Sequence, residues 1–65
     1  MGERIKELRK FLGLTQQEFS EKIGVKRNTV AQYEMGRNPP IDTVITLICR
    51  EYNVNETWLR TGEGE

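Results

Sequence analysis

Between Thr15 and Arg37 the chain reads TQQEFSEKIGVKRNTVAQYEMGR, two short helical segments separated by a turn that contains Gly24. Thr15-x-x-Glu18 is a capping box, in which the hydroxyl accepts a backbone N–H and the glutamate reaches back to the first residue. Leu14 stands where a hydrophobic staple would sit, and Phe19 and Ile23 form the apolar stripe. Ser20 falls where two closely crossing helices need a small residue. Gly24 ends this helix, Val25 and Lys26 fill the turn, and the next helix runs from about Arg27 to Met35, with Gly36 as its left-handed cap. The unit proper spans about residues 15–35.

The rest of the chain reads as helices around this pair. Ile5, Leu8 and Leu12 recur at helical spacing and predict a helix over Glu3–Leu12, ended by Gly13. Phe11 falls off that stripe, partly exposed or packed on a neighbouring helix end. Asn38-Pro39-Pro40 cannot continue a helix. A fourth helix is expected over Asp42–Tyr52, started by Asp42 or Thr43, with Val44, Ile45, Ile48, Cys49 and Tyr52 inward. Asn55 caps a fifth through Arg60, with Trp58 and Leu59 closing the core, and residues 61–65 form a tail or linker. The whole of 1–65 reads as a single all-α domain of five helices.

Composition narrows the means of stabilisation. With 65 residues, one cysteine and no histidine, the chain can form neither an internal disulfide nor a Cys/His zinc site. Cys49 is then a small core residue. No metal or cofactor is expected. No apolar run suits a membrane, so a cytoplasmic setting is expected. Net charge is zero, which taken alone argues against a nucleic-acid partner. The charges are unevenly distributed, however. Residues 1–40 hold eight Lys/Arg against five Asp/Glu, a balance of +3, and residues 41–65 hold two against five, a balance of −3. A bipolar molecule can turn its basic face to phosphates.

At about 100° per residue, Val30, Tyr33 and Glu34 share the inner face of the third helix. Arg27, Asn28, Thr29, Ala31 and Gln32 face outward or flank it. Arginine suits the guanine O6/N7 edge, and Asn or Gln the adenine N6/N7 edge. Such a polar set on an isolated helix is ordinarily just a solvated face. Behind a short capped helix and a glycine turn, it reads as a major-groove reader. Lys26 and Thr29 suit phosphates, as do Arg37 and Asn38 beyond the helix. Gln16 opens the second helix and points at the backbone of the duplex. Arg9 and Glu34 lie on facing inner flanks, placed for a semi-buried ion pair that fixes the reader's tilt. No nucleophile–base pair, paired-acid pocket or phosphate loop appears, so the chain is not read as an enzyme. The competing reading is a protein-interaction or antitoxin-type module. That use would favour apolar outward residues on the third helix, and only Ala31 and Met35 qualify.

The segments RIKELRKFLGLTQQEFSEKIGV, KRNTVAQYEMGR, the proline pair and NVNETWLRTGEGE resemble the phage-repressor/Cro-like helix-turn-helix family, also called the XRE family. LTQ, IGV, YExGR and VxxxWLxxG stand in the family's order and spacing. Ser20 and Phe19 replace the family's frequent Ala and Leu. The resemblance implies a compact five-helix bundle of the lambda-repressor-like type. It implies a bacterial or phage-encoded regulator on nucleoid DNA, commonly a repressor, pairing as a weak homodimer that strengthens on a palindromic operator. Gln16, Arg27, Asn28 and Gln32 take the family's base-contact or base-adjacent positions, and Lys26, Thr29, Arg37 and Asn38 its phosphate positions. Arg9 and Glu34 take its structural ion pair. Dimer contacts are expected at Pro40, Thr57, Trp58 and Arg60. The end after Gly62 resembles the domain boundary of longer repressors.

Overall fold

The local rules read from the sequence operate at the helix ends of the computed structural model, which describes residues 1–63. Five helices follow one another: α1 (Gly2–Phe11), α2 (Gln16–Ile23), α3 (Arg27–Met35), α4 (Asp42–Tyr52) and α5 (Glu56–Thr61). Among the described residues there is no strand, and no helix is long and apolar enough to cross a membrane. The α2 capping box is complete. The Thr15 hydroxyl accepts from the Glu18 N–H at 3.1 Å, and the Thr15 N–H donates to the Glu18 carboxylate at 2.9 Å. The Asn55 side chain caps α5 by accepting from the Thr57 and Trp58 N–H groups.

Ile5, Phe19, Val30, Ile48 and Leu59, one from each helix, are fully enclosed, and Leu8, Ile23, Tyr33 and Ile45 complete the core. The Phe19 and Tyr52 rings stack at 5.0 Å, joining α2 to α4. Ser20 is buried and donates its hydroxyl hydrogen to the Gln17 carbonyl at 2.7 Å, so this small polar residue enters the core satisfied. Val44, Cys49, Tyr52 and Trp58 are half-buried against the core.

Four expectations need correction. The first helix ends at Phe11, and Leu12 is its cap at 37% exposure, not a stripe residue. Phe11 is 85% exposed, more than the partial exposure expected of it. Pro40 is buried, because the loop after α3 folds inward there. The expected tail begins too early: Thr61 closes α5 and Gly62 caps it. Gly64 and Glu65 lie outside the described residues.

Helix α1 clasps the bundle through contacts with no sequence signature. The Arg4 guanidinium donates to the Leu59 and Arg60 carbonyls at 2.8 and 2.9 Å, satisfying carbonyls in the last turn of α5. At the other side, Gly2 lies so close to the Tyr33 and Glu34 carbonyls that an added Cβ would collide with backbone. The first turn of α1 therefore sits directly on the last turn of α3.

Candidate nucleic-acid interface

The α2–α3 turn starts from a backbone requirement. Gly24 has φ 74°, and both its N–H and that of Val25 return to the Ser20 carbonyl. A Cβ there would strain the left-handed conformation. The three residues Gly24, Val25 and Lys26 then suffice to turn the chain into α3, which packs on both α2 and α1.

Helix α3 begins against the usual rules. Its N-cap is Lys26, with no side-chain hydrogen bond to the helix, and its first turn carries no acidic residue. Arg27 opens it instead, placing positive charge at the positive end of the helix dipole. Helix α2, by contrast, has its hydroxyl cap and its first-turn glutamate. Helices α1 and α4 also lack a side-chain cap, but each carries an acidic residue in its first turn, as do α2 and α5; among the described helices only α3 opens with no acidic counter-charge at the positive end of its dipole.

The disposition of the arginines sharpens the contrast. Arg4, Arg9 and Arg60 are committed to acceptors within the protein. Arg27 and Arg37 are exposed, and no hydrogen bond or ion pair engages their side chains among the described residues; the same holds for the side chains of Lys26 and Asn28. Gln32 is exposed, with the Asn38 amide 3.5 Å from its oxygen. Thr29 is half-buried on the flank of α3, so its hydroxyl is less open than that of a fully outward residue. These side chains form one polar surface along α3 and the loop that follows it.

Behind this surface lies an ion-pair cluster. Arg9 Nε and Nη2 donate to the two Glu34 carboxylate oxygens at 2.7 and 3.2 Å, and Nη1 donates to the Leu14 carbonyl at 2.9 Å. The side chains are 13% and 5% exposed. The hydrogen bond and charge of Glu34 raise the already high pKa of Arg9 against the opposing effect of burial. Gln16, half-buried at the start of α2, joins the cluster through its Nε2, 3.1 Å from Glu34 Oε1. The sequence placed Gln16 at a helix start facing the duplex, without an internal partner. Its tie to Glu34 spans 18 positions and had no signal in local patterning.

Of the residues expected at a subunit contact, Thr57 is exposed and Trp58 and Arg60 are half-buried. Arg60 is bound to Glu56 at 2.7 Å and to Asp42 at 3.2 Å, bridging α5 to α4. Pro40 is enclosed and offers no open surface. The described residues contain no cluster of acidic, cysteine and histidine side chains able to hold a metal.

Comparison with known proteins places this geometry in context. A family model described as a helix-turn-helix domain matches residues 2–65. The chain is similar to Antitoxin PezA of Streptococcus pneumoniae, 40% identical over 55 residues, which cover 85% of this chain and 35% of that protein. It is similar to the Propionyl-CoA carboxylase regulator of Cereibacter sphaeroides, 38% identical over 64 residues, 98% of this chain and 14% of that one. It is also similar to the HTH-type transcriptional regulator ImmR of Bacillus subtilis, 38% identical over 60 residues, 91% of this chain and 46% of that protein. The chain thus spans less than half the length of each of these three relatives.

Proposed function

The chain belongs to the helix-turn-helix domain family, and on that premise we propose that it is a sequence-specific reader of duplex DNA within a transcriptional repressor. Helix α3 enters the major groove. Arg27, Asn28 and Gln32 meet base edges, with Gln16 beside them. Lys26, Thr29, Arg37 and Asn38 hold the backbone on either side. One observation carries this reading: the start of α3 is uncapped and basic, and its Arg27 and Asn28 side chains are uncommitted among the described residues. Phosphates and guanine edges are acceptors that would satisfy such a surface.

One reading helix covers only a few base pairs, too few to single out a site in a genome. The active species is therefore a pair of copies on a palindromic operator, with half-sites about 10 base pairs apart centre to centre. Thr57, Trp58 and Arg60 lie at the carboxy-terminal end, away from the reader, and are the proposed contact. The pairing is weak in solution and strengthened on DNA. Action on cytoplasmic nucleoid DNA follows from the same reading.

The likeness to Antitoxin PezA favours a second reading, an antitoxin-type module with a protein partner. Binding to random duplex DNA as salt is varied separates the two. Each phosphate neutralised by a residue such as Lys26 or Arg37 adds about −0.9 to the slope of log affinity against log salt. A steep negative slope is expected. A slope near zero, or no binding at low salt, would overturn the DNA reading and leave the protein-partner reading.

A further inference from the structure

Gln16 and Glu34 meet on chemically unequal terms. A carboxylate can only accept, so the amide of Gln16 must turn its Nε2 toward Glu34, as the 3.1 Å contact to Oε1 records. The other arm of the planar amide, Oε1, is thereby turned away from Glu34, and it accepts no hydrogen bond among the described residues. Glu34 has no freedom to yield. Arg9 fixes both its oxygens at 2.7 and 3.2 Å, and Arg9 is itself anchored to the Leu14 carbonyl. The orientation of one amide at the start of α2 is thus set by a chain of donors reaching back to α1.

We infer that Glu34 is a positioning residue for sequence reading: it holds the Gln16 amide so that the oxygen and a single remaining N–H are offered to DNA. This rests on the proposed placement of Gln16 at the DNA surface. An oxygen beside one N–H matches an adenine edge, whose N6 donates and whose N7 accepts. Were the amide reversed, its NH2 would face outward and favour a base edge or phosphate that only accepts, such as guanine O6/N7.

The substitution Glu34→Gln performs that reversal. The cationic Arg9 Nε, with the shortest bond in the cluster, claims the new amide oxygen. The new NH2 then takes the place of Oε1 and faces Gln16, and the longer Arg9 Nη2 bond to that position is given up. Gln16 must now accept, and its own NH2 turns outward. Sequences bound from a random duplex library are to be selected with the wild-type chain, with Glu34→Gln, with Gln16→Ala and with the double variant. Selection is done well below the melting temperature of each, at equal folded concentration. Gln16→Ala should weaken the wild-type site by roughly 5- to 150-fold, the span of one good base-edge contact. Glu34→Gln should change the preferred base at one position per half-site, and Gln16→Ala in the same chain should erase that change. A general loss of stability would lower affinity at all sites alike and would not move the preference.

If Gln16→Ala alters binding while Glu34→Gln selects the wild-type sequence, the positioning role is overturned and the DNA reading stands. If Gln16→Ala leaves both affinity and preference untouched, the placement of Gln16 at the DNA surface falls, and the inference falls with it. Should Glu34→Gln fail to fold, side-chain amide NMR of the wild-type chain gives an independent test. One Gln16 amide proton should be strongly deshielded and slow to exchange, in contrast to those of exposed Gln32. Two protons shifted and exchanging like a free amide would overturn the inference.

Discussion

Glu34→Ala removes the acceptor at the centre of the Arg9 cluster, and its effect can be worked from the geometry. The Arg9 side chain is 13% exposed and keeps only the Leu14 carbonyl as a partner, while Gln16 loses its bond altogether. Removing one member of a buried pair costs about 3–5 kcal/mol, because a charge is left with too few acceptors in a place water reaches poorly. A domain of this length has roughly 3–10 kcal/mol in total. For a domain of this size each kcal/mol is worth about 4–8 °C, so the melting temperature should fall by at least about 12 °C. The same reasoning predicts that replacing both partners by apolar residues, Arg9→Met with Glu34→Leu, is far milder than either single change, since no unpaired charge remains. Urea and thermal melts of the wild type, both single variants and the pair give the coupling energy directly. A Glu34→Ala chain within about 1 kcal/mol of wild type would show that the pair behaves as an exposed one, and the argument from burial would be wrong.

Three further outcomes follow from other sites. Gly2→Ala should lower the melting temperature. Alanine's helix propensity offers about 1 kcal/mol, but the added methyl meets the Tyr33 and Glu34 backbone, which cannot swing aside, and overpacking costs about 1–3 kcal/mol; a higher melting temperature would mean that the start of α1 shifts freely. Burial pushes the Cys49 thiol up, with the Glu56 charge adding to it and Arg60 opposing. Iodoacetamide at pH 8 should therefore label the folded chain much more slowly than the urea-unfolded one. Burial likewise raises the Tyr33 and Tyr52 phenols, the latter with help from Glu51. The fold prefers both neutral, so their contribution is whole below the ordinary phenol value of about 10 and is lost as pH rises through the raised values; alkaline melts together with the phenolate absorbance near 295 nm check the window.

The sequence was informative wherever a side chain acts on its own helix. The Thr15–Glu18 box, the Asn55 cap and the glycine after Ile23 are contacts within a few residues, and each appears in the structure. The core positions of α2, α3 and α4 followed from helical spacing alone, because a stripe facing the core must repeat with the helix. The errors fell where tertiary packing decides. Leu12 has the spacing of a core residue, but the helix ends one position before it. Pro40 was legible as a helix breaker, yet nothing local says whether such a loop turns in or out, and this one turns in. For the candidate interface, the outward set on α3 was readable from angles. That Arg27 and Arg37 are left uncommitted while Arg4 is spent on the carbonyls of α5 is knowable only once every acceptor has been located.

The distribution of those acceptors explains how so small a chain, with a single cysteine, holds the proposed reading helix still. Helix α3 packs on α2 as well as α1, but two of the contacts that fix it from behind come through α1. Gly2 lets the two backbones touch at the end of α3, and Arg9 grips Glu34. Arg4, two residues on from Gly2, ties the same helix to α5. Helix α1 supplies no residue to the proposed DNA surface, yet the stance of α3, and through Glu34 the orientation of Gln16, depends on it. Changes in α1 that spare the fold should therefore be felt as changes in how α3 reads. The sequence hints at this division of labour in one respect only: the basic residues of the first forty positions fall into two groups, those of α1 and those from Lys22 onward. The structure separates them by use. Arg4 and Arg9 are bonded inside the protein, while Lys26, Arg27 and Arg37 keep their side-chain donors free of any partner among the described residues. The +3 balance of that half is thus an incomplete measure of the charge open to the proposed DNA surface, because two of its eight cations are already engaged inside the bundle.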